Sequence, residues 1–195
     1  MKRAATLIGA ALLPVGWLLA GAHGGMVGHM AGHMIAVAVA APALAYGLSG
    51  GRYDPVRRWP RIVTPMAMML VELVTVWAWH LPALRAAADG SLFVLTIEQL
   101  SFAAAGLLLW ASVFHAPQRA SGIGALLLTS MHMTLLGVLI GLAPRPLYGG
   151  HAMHGMDPMI DQQLGGVVML MVGAASYFLG GLALLLTLIR ERATR

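Results

Sequence analysis

The chain is dominated by long apolar stretches, each near the roughly 20 residues that an α-helix needs to cross a bilayer's hydrocarbon core. Little sequence separates them. The stretches fall at about 4–20, 26–48, 62–81, 92–114, 123–143 and 164–189. A chain of 195 residues with 59% hydrophobic and only 10% charged side chains leaves no room for a separate soluble domain. The predicted fold is all-α: one polytopic membrane bundle of about six transmembrane helices, in contact with the lipid bilayer. It has five helices if the first segment is a cleaved leader. That reading rests on Met1-Lys2-Arg3 before the stretch and on the small residues Ala20-Gly21-Ala22 after it.

The basic residues orient the bundle. Ten of the twelve Lys and Arg (Lys2, Arg3, Arg52, Arg57, Arg58, Arg61, Arg119, Arg190, Arg192 and Arg195) alternate onto one side, leaving only Arg85 and Arg145 opposite. Positive charge is retained on the cytoplasmic face. Both termini are therefore expected inside, and the formal charge of +5 reports topology and not a nucleic-acid partner.

Seven of the eight histidines then fall on the outer side or within the membrane: His23, His29, His33, His80, His132, His151 and His154. Methionines accompany them. Met26, Met30 and Met34 interleave with His29 and His33, and Met131 and Met133 flank His132. Met153, Met156 and Met159 surround His151 and His154. With no cysteine in the chain, any metal site must use imidazole, thioether, carboxylate or backbone groups. Imidazole with thioether favours copper, above all Cu(I).

Residues four apart on a helix share a face, so His29 and His33 are stacked, with Met26 and Met30 one turn before each. Two readings stand: hydrogen-bonded ties between helices, or ligands of one ion. Ionisable groups within a span are costly and face a cavity or partner, which favours the ligand reading. Glu98 is expected at a depth similar to His33, and Glu72 is expected at the depth of His132, where the two could pair. His80, beside Trp77 and Trp79, suits an interfacial anchor or a ligand equally. Asp161 is expected to cap the last helix. Met66, Met68, Met69, Met169 and Met171 read as plain apolar bulk. No nucleophile with a partnered base and no phosphate loop is present, so nothing points to an enzyme.

Five segments carry a resemblance: His29-Met30-x-x-His33, Trp77-Ala-Trp79-His80-Leu-Pro-Ala-Leu84, Glu98-Gln-Leu-Ser-Phe102, Pro146-Leu-Tyr148 and Asp161-Gln-Gln-Leu164. Together and in this order they resemble the multi-spanning CtaG-type assembly factors of bacterial haem-copper cytochrome c oxidases, distinct from the single-span copper chaperones that share the name. Gln99 stands where that family often has histidine, and Gly32 where it often has glutamine. The resemblance implies a bacterial cytoplasmic (inner) membrane protein that handles copper for an oxidase on the outer side. Its partners would be haem-copper oxidase subunits and a periplasmic copper chaperone.

The resulting expectation is a Cu(I)-binding assembly factor without enzymatic activity. His151, Met153, His154 and Met156 would capture the ion. His29, Met30, Met26 and His33 would hold it, with His80 as a further candidate, and Glu98 or His132 would tune or relay it. The alternatives are a copper permease using His33, Glu72 and His132 as stations, a b-type haem cytochrome with His33 and His132 as axial ligands, and a docking scaffold whose histidines are structural.

Overall fold

The computed structural model describes residues 1–22, 25–115, 119–149 and 155–193. Its helices are α1 (Lys2–Ala22), α2 (Met26–Leu48), α3 (Pro65–Trp79), α4 (Pro82–Gly90), α5 (Leu92–Phe114), α6 (Arg119–Gly141) and α7 (Pro158–Arg190). Five of them, α1, α2, α5, α6 and α7, are long and apolar enough to cross a membrane. The bent pair α3–α4 makes a sixth candidate span. The protein is a polytopic helical bundle, as expected. The first segment is a helix packed along α2, where Gly16 approaches Gly32.

The third span differs from expectation, which ended it at Pro82. At ~1.5 Å per residue, α3 reaches only about 22 Å, short of a hydrocarbon core of about 30 Å. Pro82 then pushes Leu81 out of the helical region, to ψ 131°, and opens α4 at a 71° bend from α3. The amphipathic α4 lies across the end of the bundle with Arg85 and Ala88 turned inward. Ser91 caps α5 through its hydroxyl.

Apolar side chains face outward, among them Leu70, Leu100, Leu135, Leu139 and Val167. Buried positions hold Glu72, His29, His33, His80, Arg85, Glu98 and Gln162. This distribution suits a hydrocarbon solvent, in which exposed apolar surface carries no penalty and polar groups find partners only inside. Met68, Met69 and Met169 are core bulk, whereas Met66 and Met171 face outward.

Helix backbones approach closely where side chains are absent. A Cβ at Gly32 would lie 2.4 Å from the Gly16 carbonyl, and one at Gly166 would lie 2.7 Å from that of Gly137. Gly32 is therefore explained here by the α1–α2 contact, which a glutamine could not fit.

Two wide helical turns, Ile35–Ala40 in α2 and Ala174–Phe178 in α7, meet in the interior. Widening displaces carbonyls from the regular ladder. The Val37 carbonyl accepts from Trp110 Nε1 at 3.1 Å and lies 3.3 Å from the Tyr177 hydroxyl. The Ala38 carbonyl accepts from Ser176 Oγ at 2.8 Å.

Asp157 caps α7, accepting from the amides of Met159 and Ile160. Asp161 reaches across to α2 and accepts from the amides of Met26 at 2.6 Å and Val27 at 3.2 Å. The expected cap role is thus real but belongs to a different helix. At the basic end, Asp54 caps the short turn Pro55–Arg58 and lies 3.5 Å from His115.

Candidate functional site

The α4 bend roofs a cluster contributed by α2, α3, α4 and α5. His29 and Met30 come from α2, and His80 follows the last turn of α3. The Nε2 atoms of His29 and His80 face each other at 3.3 Å, and Met30 Sδ lies 3.4 Å from His80 Nε2. All three side chains are buried. The sequence reading of His80 as an interfacial anchor does not describe this position.

The partners of the remaining ring nitrogens assign their protons. His80 Nδ1 lies 2.6 Å from the Val76 carbonyl, which can only accept, so Nδ1 carries the proton and Nε2 presents its lone pair to the cluster. Arg85 Nη1, which can only donate, lies 2.5 Å from His29 Nδ1, a contact that favours a proton on His29 Nε2 facing His80, whereas Glu98 Oε2, 3.6 Å from the same Nδ1, favours the opposite tautomer.

Arg85 organises the outer edge of the cluster. Its Nη1 also donates to Glu98 Oε1 at 2.6 Å, while Nη2 and Nε donate to Asp89 Oδ1 at 2.7 and 3.2 Å. Glu98 Oε2 lies 3.6 Å from His29 Nδ1. Arg85 and Glu98 are both buried, whereas the Asp89 side chain is 41% exposed. Two openings flank this network, of about 400 and 240 Å³, and Arg85, Asp89 and Gly149 line both.

His33 lies one turn deeper. Its ring stacks on Phe102 with centroids 4.2 Å apart, and its centroid is 5.2 Å from that of His80. Both of its nitrogens lack a hydrogen-bond partner among the described residues, as do both nitrogens of His132, whereas the Thr129 hydroxyl and Glu72 lie close enough to each other to pair after a small shift. Each such buried nitrogen costs about 1–3 kcal/mol. The expected Glu72–His132 pair does not form. Glu72 instead meets the Tyr177 hydroxyl at 2.5 Å.

Of the candidate ligands, His29, Met30 and His80 converge, with Glu98 behind His29 and His33 beside them. Met26 is buried one turn away and packs on Gly165. His132 sits on α6 with no hydrogen bond to its ring among the described residues, and Met156 is half-buried just before α7. His151, Met153 and His154 lie outside the described residues. Among the described residues, no three His, Asp or Glu side chains are placed to hold a metal ion together. The side chains that converge here are two imidazoles and a thioether. Two imidazole nitrogens about 2.0–2.1 Å from one tetrahedral ion stand about 3.3–3.4 Å apart, which matches the His29–His80 spacing.

Arg85 was visible in the sequence only as an exception to the charge bias. The usable signal was an arginine three residues after a proline within an otherwise apolar end, since a buried arginine in a membrane protein marks a function or a partner.

A ring of supports holds the cluster. Trp79 Nε1 donates to Ser101 Oγ at 2.7 Å, and Ser101 donates to the Glu98 carbonyl at 2.7 Å. Tyr148 donates to the His80 carbonyl at 2.9 Å, and burial pushes its phenol up to about 12, which keeps it a donor. Gln162 accepts from the Leu147 amide at 2.6 Å and donates to the Ile140 carbonyl at 2.9 Å, fixing the loop that carries Tyr148.

A family model described as cytochrome c oxidase caa3 assembly factor (Caa3_CtaG) matches residues 4–191. Comparisons with curated proteins and with solved structures gave no match.

Proposed function

The chain belongs to the cytochrome c oxidase caa3 assembly factor family, and we propose that it serves oxidase assembly by binding Cu(I) at His29, Met30 and His80 and passing it to a haem-copper oxidase. The observation that carries this reading is the buried approach of His29 Nε2 and Met30 Sδ to His80 Nε2, at 3.3 and 3.4 Å. Neutral imidazole and thioether donors select a soft monovalent ion. They also exchange one at a time, so the ion moves between sites without release. His33, with both nitrogens unpartnered and its ring beside His80, is the next donor inward.

The charge bias supports an outer position for the cluster end and cytoplasmic termini, and membership of an oxidase assembly family supports the inner membrane of a bacterial cell. On that side His151, Met153, His154 and Met156 would meet a periplasmic copper chaperone, and the oxidase subunits would receive the ion. The protein breaks no bond in this role and is not an enzyme.

One alternative has its own observation. The buried ring nitrogens of His33 and His132, unpartnered among the described residues, lie on α2 and α6, with the buried carboxyl of Glu72 on α3, as stations of a copper permease would. Radioactive copper uptake by sealed vesicles separates it from delivery.

The deciding experiment is metal analysis and a visible spectrum of detergent-purified protein loaded with Cu(I) under reducing conditions, beside His29→Ala/His80→Ala. Near-stoichiometric copper lost in the double variant, with no Soret band, is the expected result. No copper in the loaded wild type overturns the copper reading. A Soret band assigns the deeper histidines, His33 and His132, to b-type haem.

A further inference from the structure

For His29 to bind a metal through Nε2, that nitrogen must present a lone pair, so the neutral ring must carry its proton on Nδ1. In the structure Arg85 Nη1 lies 2.5 Å from Nδ1 and can only donate to it. A proton on Nδ1 would put two N–H groups against each other. His80 has no such conflict, because its Nδ1 proton already goes to the Val76 carbonyl. Of the two facing imidazoles, one is ready to bind and the other has a donor set against the nitrogen that would have to carry its proton.

We propose that Arg85 is a tautomer lock on this site, a positioning residue that keeps His29 from binding metal until the guanidinium moves outward onto Asp89. The inference rests on the copper reading above and adds how the site opens.

Three observations support the movement. Arg85 is already bound to Asp89 through Nε and Nη2, so withdrawing Nη1 keeps its charge paired. The openings of about 400 and 240 Å³ beside Arg85 and Asp89 provide room on the outer side. Glu98 Oε2 lies 3.6 Å from His29 Nδ1, so a small shift lets the carboxylate accept a hydrogen bond from a proton carried on Nδ1.

The proton balance closes without acid or base from outside: one proton leaves His29 Nε2 and one returns to Nδ1, and the ring stays neutral. The result is a carboxylate behind a ligating histidine, the arrangement that fixes ring orientation and raises ligand basicity at metal sites. Charge balances too. While the site is empty, Arg85 faces both Glu98 and Asp89, which leaves one net negative charge for a single positive ion to offset. Once it is filled, Arg85 pairs with Asp89, and Glu98 offsets a single positive charge. A divalent ion would leave one charge uncompensated in a medium where that is costly.

The test measures Cu(I) affinity of the detergent-purified full chain by competition with bicinchoninate, and His29 tautomer by ¹⁵N NMR of the metal-free, histidine-labelled protein. The variants are Arg85→Met and Asp89→Asn. Arg85→Met removes the lock, and its Cu(I) affinity is expected to rise about tenfold, with His29 protonated on Nδ1. Asp89→Asn removes the outward anchor, and its affinity is expected to fall about tenfold with His29 still protonated on Nε2.

A merely structural arginine would weaken binding in both variants and leave the tautomer unmoved. Wild type that binds Cu(I) with Arg85→Met no tighter overturns the lock and leaves the copper reading standing. Copper bound by Arg85→Met but not by wild type supports the lock and overturns copper binding by the unaltered protein. Copper bound by neither overturns both. If Arg85→Met fails to fold, the other measurements decide: an Nδ1 proton on His29 in the metal-free wild type, or unchanged affinity in Asp89→Asn, overturns the lock.

Discussion

His29 Nε2 and His80 Nε2 stand 3.3 Å apart although 51 residues separate them, and Met30 Sδ completes the group from the residue after His29. His80, at the end of α3, therefore belongs to the centre of the site. Replacing His80 by Ala should weaken Cu(I) binding by about a hundredfold or more, beyond the 10–100-fold typical of supporting residues. Replacing His33 by Ala should cost less, because its nitrogens contact neither partner in the metal-free form. Competition titration of the two single variants checks the order, and equal losses would mean that His33 is a full ligand.

Asp161 and Asp157 lie four residues apart at the start of α7 and cap different helices. Asp161→Ala strips the α2 amides of Met26 and Val27 of their acceptor in a buried place and should destabilise the bundle by about 2 kcal/mol, the upper end for a lost cap. Asp157→Ala, at an exposed cap, should cost about 1 kcal/mol or less. Thermal unfolding in detergent, followed by size-exclusion recovery, ranks them. A larger loss from Asp157→Ala would contradict the cross-helix cap.

Gly32→Ala places a methyl 2.4 Å from the Gly16 carbonyl and 2.9 Å from Ala20 Cβ. Backbone cannot yield as a flexible side chain does, so α1 must shift from α2, at a cost of about 1–3 kcal/mol. Because His29 and His33 share that helix, Cu(I) affinity should fall with stability. Unchanged thermal stability would mean that α1 is not held against α2 at this point.

Tyr148 gives a pH signature outside the helices. Burial raises its phenol to about 12 from the ordinary value of 10. Between those values the unfolded chain has lost this proton and the folded one keeps it. Stability therefore falls as pH rises from about 10 to 12, and the contribution is fully present below 10. Tyr148→Phe should be less stable than wild type at neutral pH, because it lacks the bond to the His80 carbonyl, and its decline above pH 10 should be shallower. Parallel declines would show that Tyr148 does not titrate across that range.

Much of this molecule was legible along the chain, because hydrocarbon imposes constraints that act residue by residue. Helices α2 and α5 appear with the boundaries expected from their apolar runs, Met26–Leu48 and Leu92–Phe114, since a span must be continuous and apolar for the length of the core. The five scattered segments that carried the family resemblance are the ones that meet in space: His29, His80, Glu98, Tyr148 and the Asp161–Gln162 pair all support one cluster. His29 and His33 were identifiable as a shared helix face because helical period alone puts them there.

What tertiary structure decided was which partner each polar group meets, since that depends on helix rotation and tilt, which an apolar pattern leaves nearly free. Depth along the membrane normal suggested Glu72 with His132, but rotation of α7 brings Tyr177 to Glu72 instead. Spacing suggested that Asp161 caps its own helix, but the approach of α2 gives it two better donors. The 71° bend at Pro82 brings Arg85 back over the cluster, where its guanidinium meets His29 Nδ1 and Glu98. Composition and period determined that this is a membrane bundle with its histidines toward one end. Only the packing of four helices decided that two of those histidines and one methionine face one another, because no local interaction can hold together groups that lie 50 residues apart.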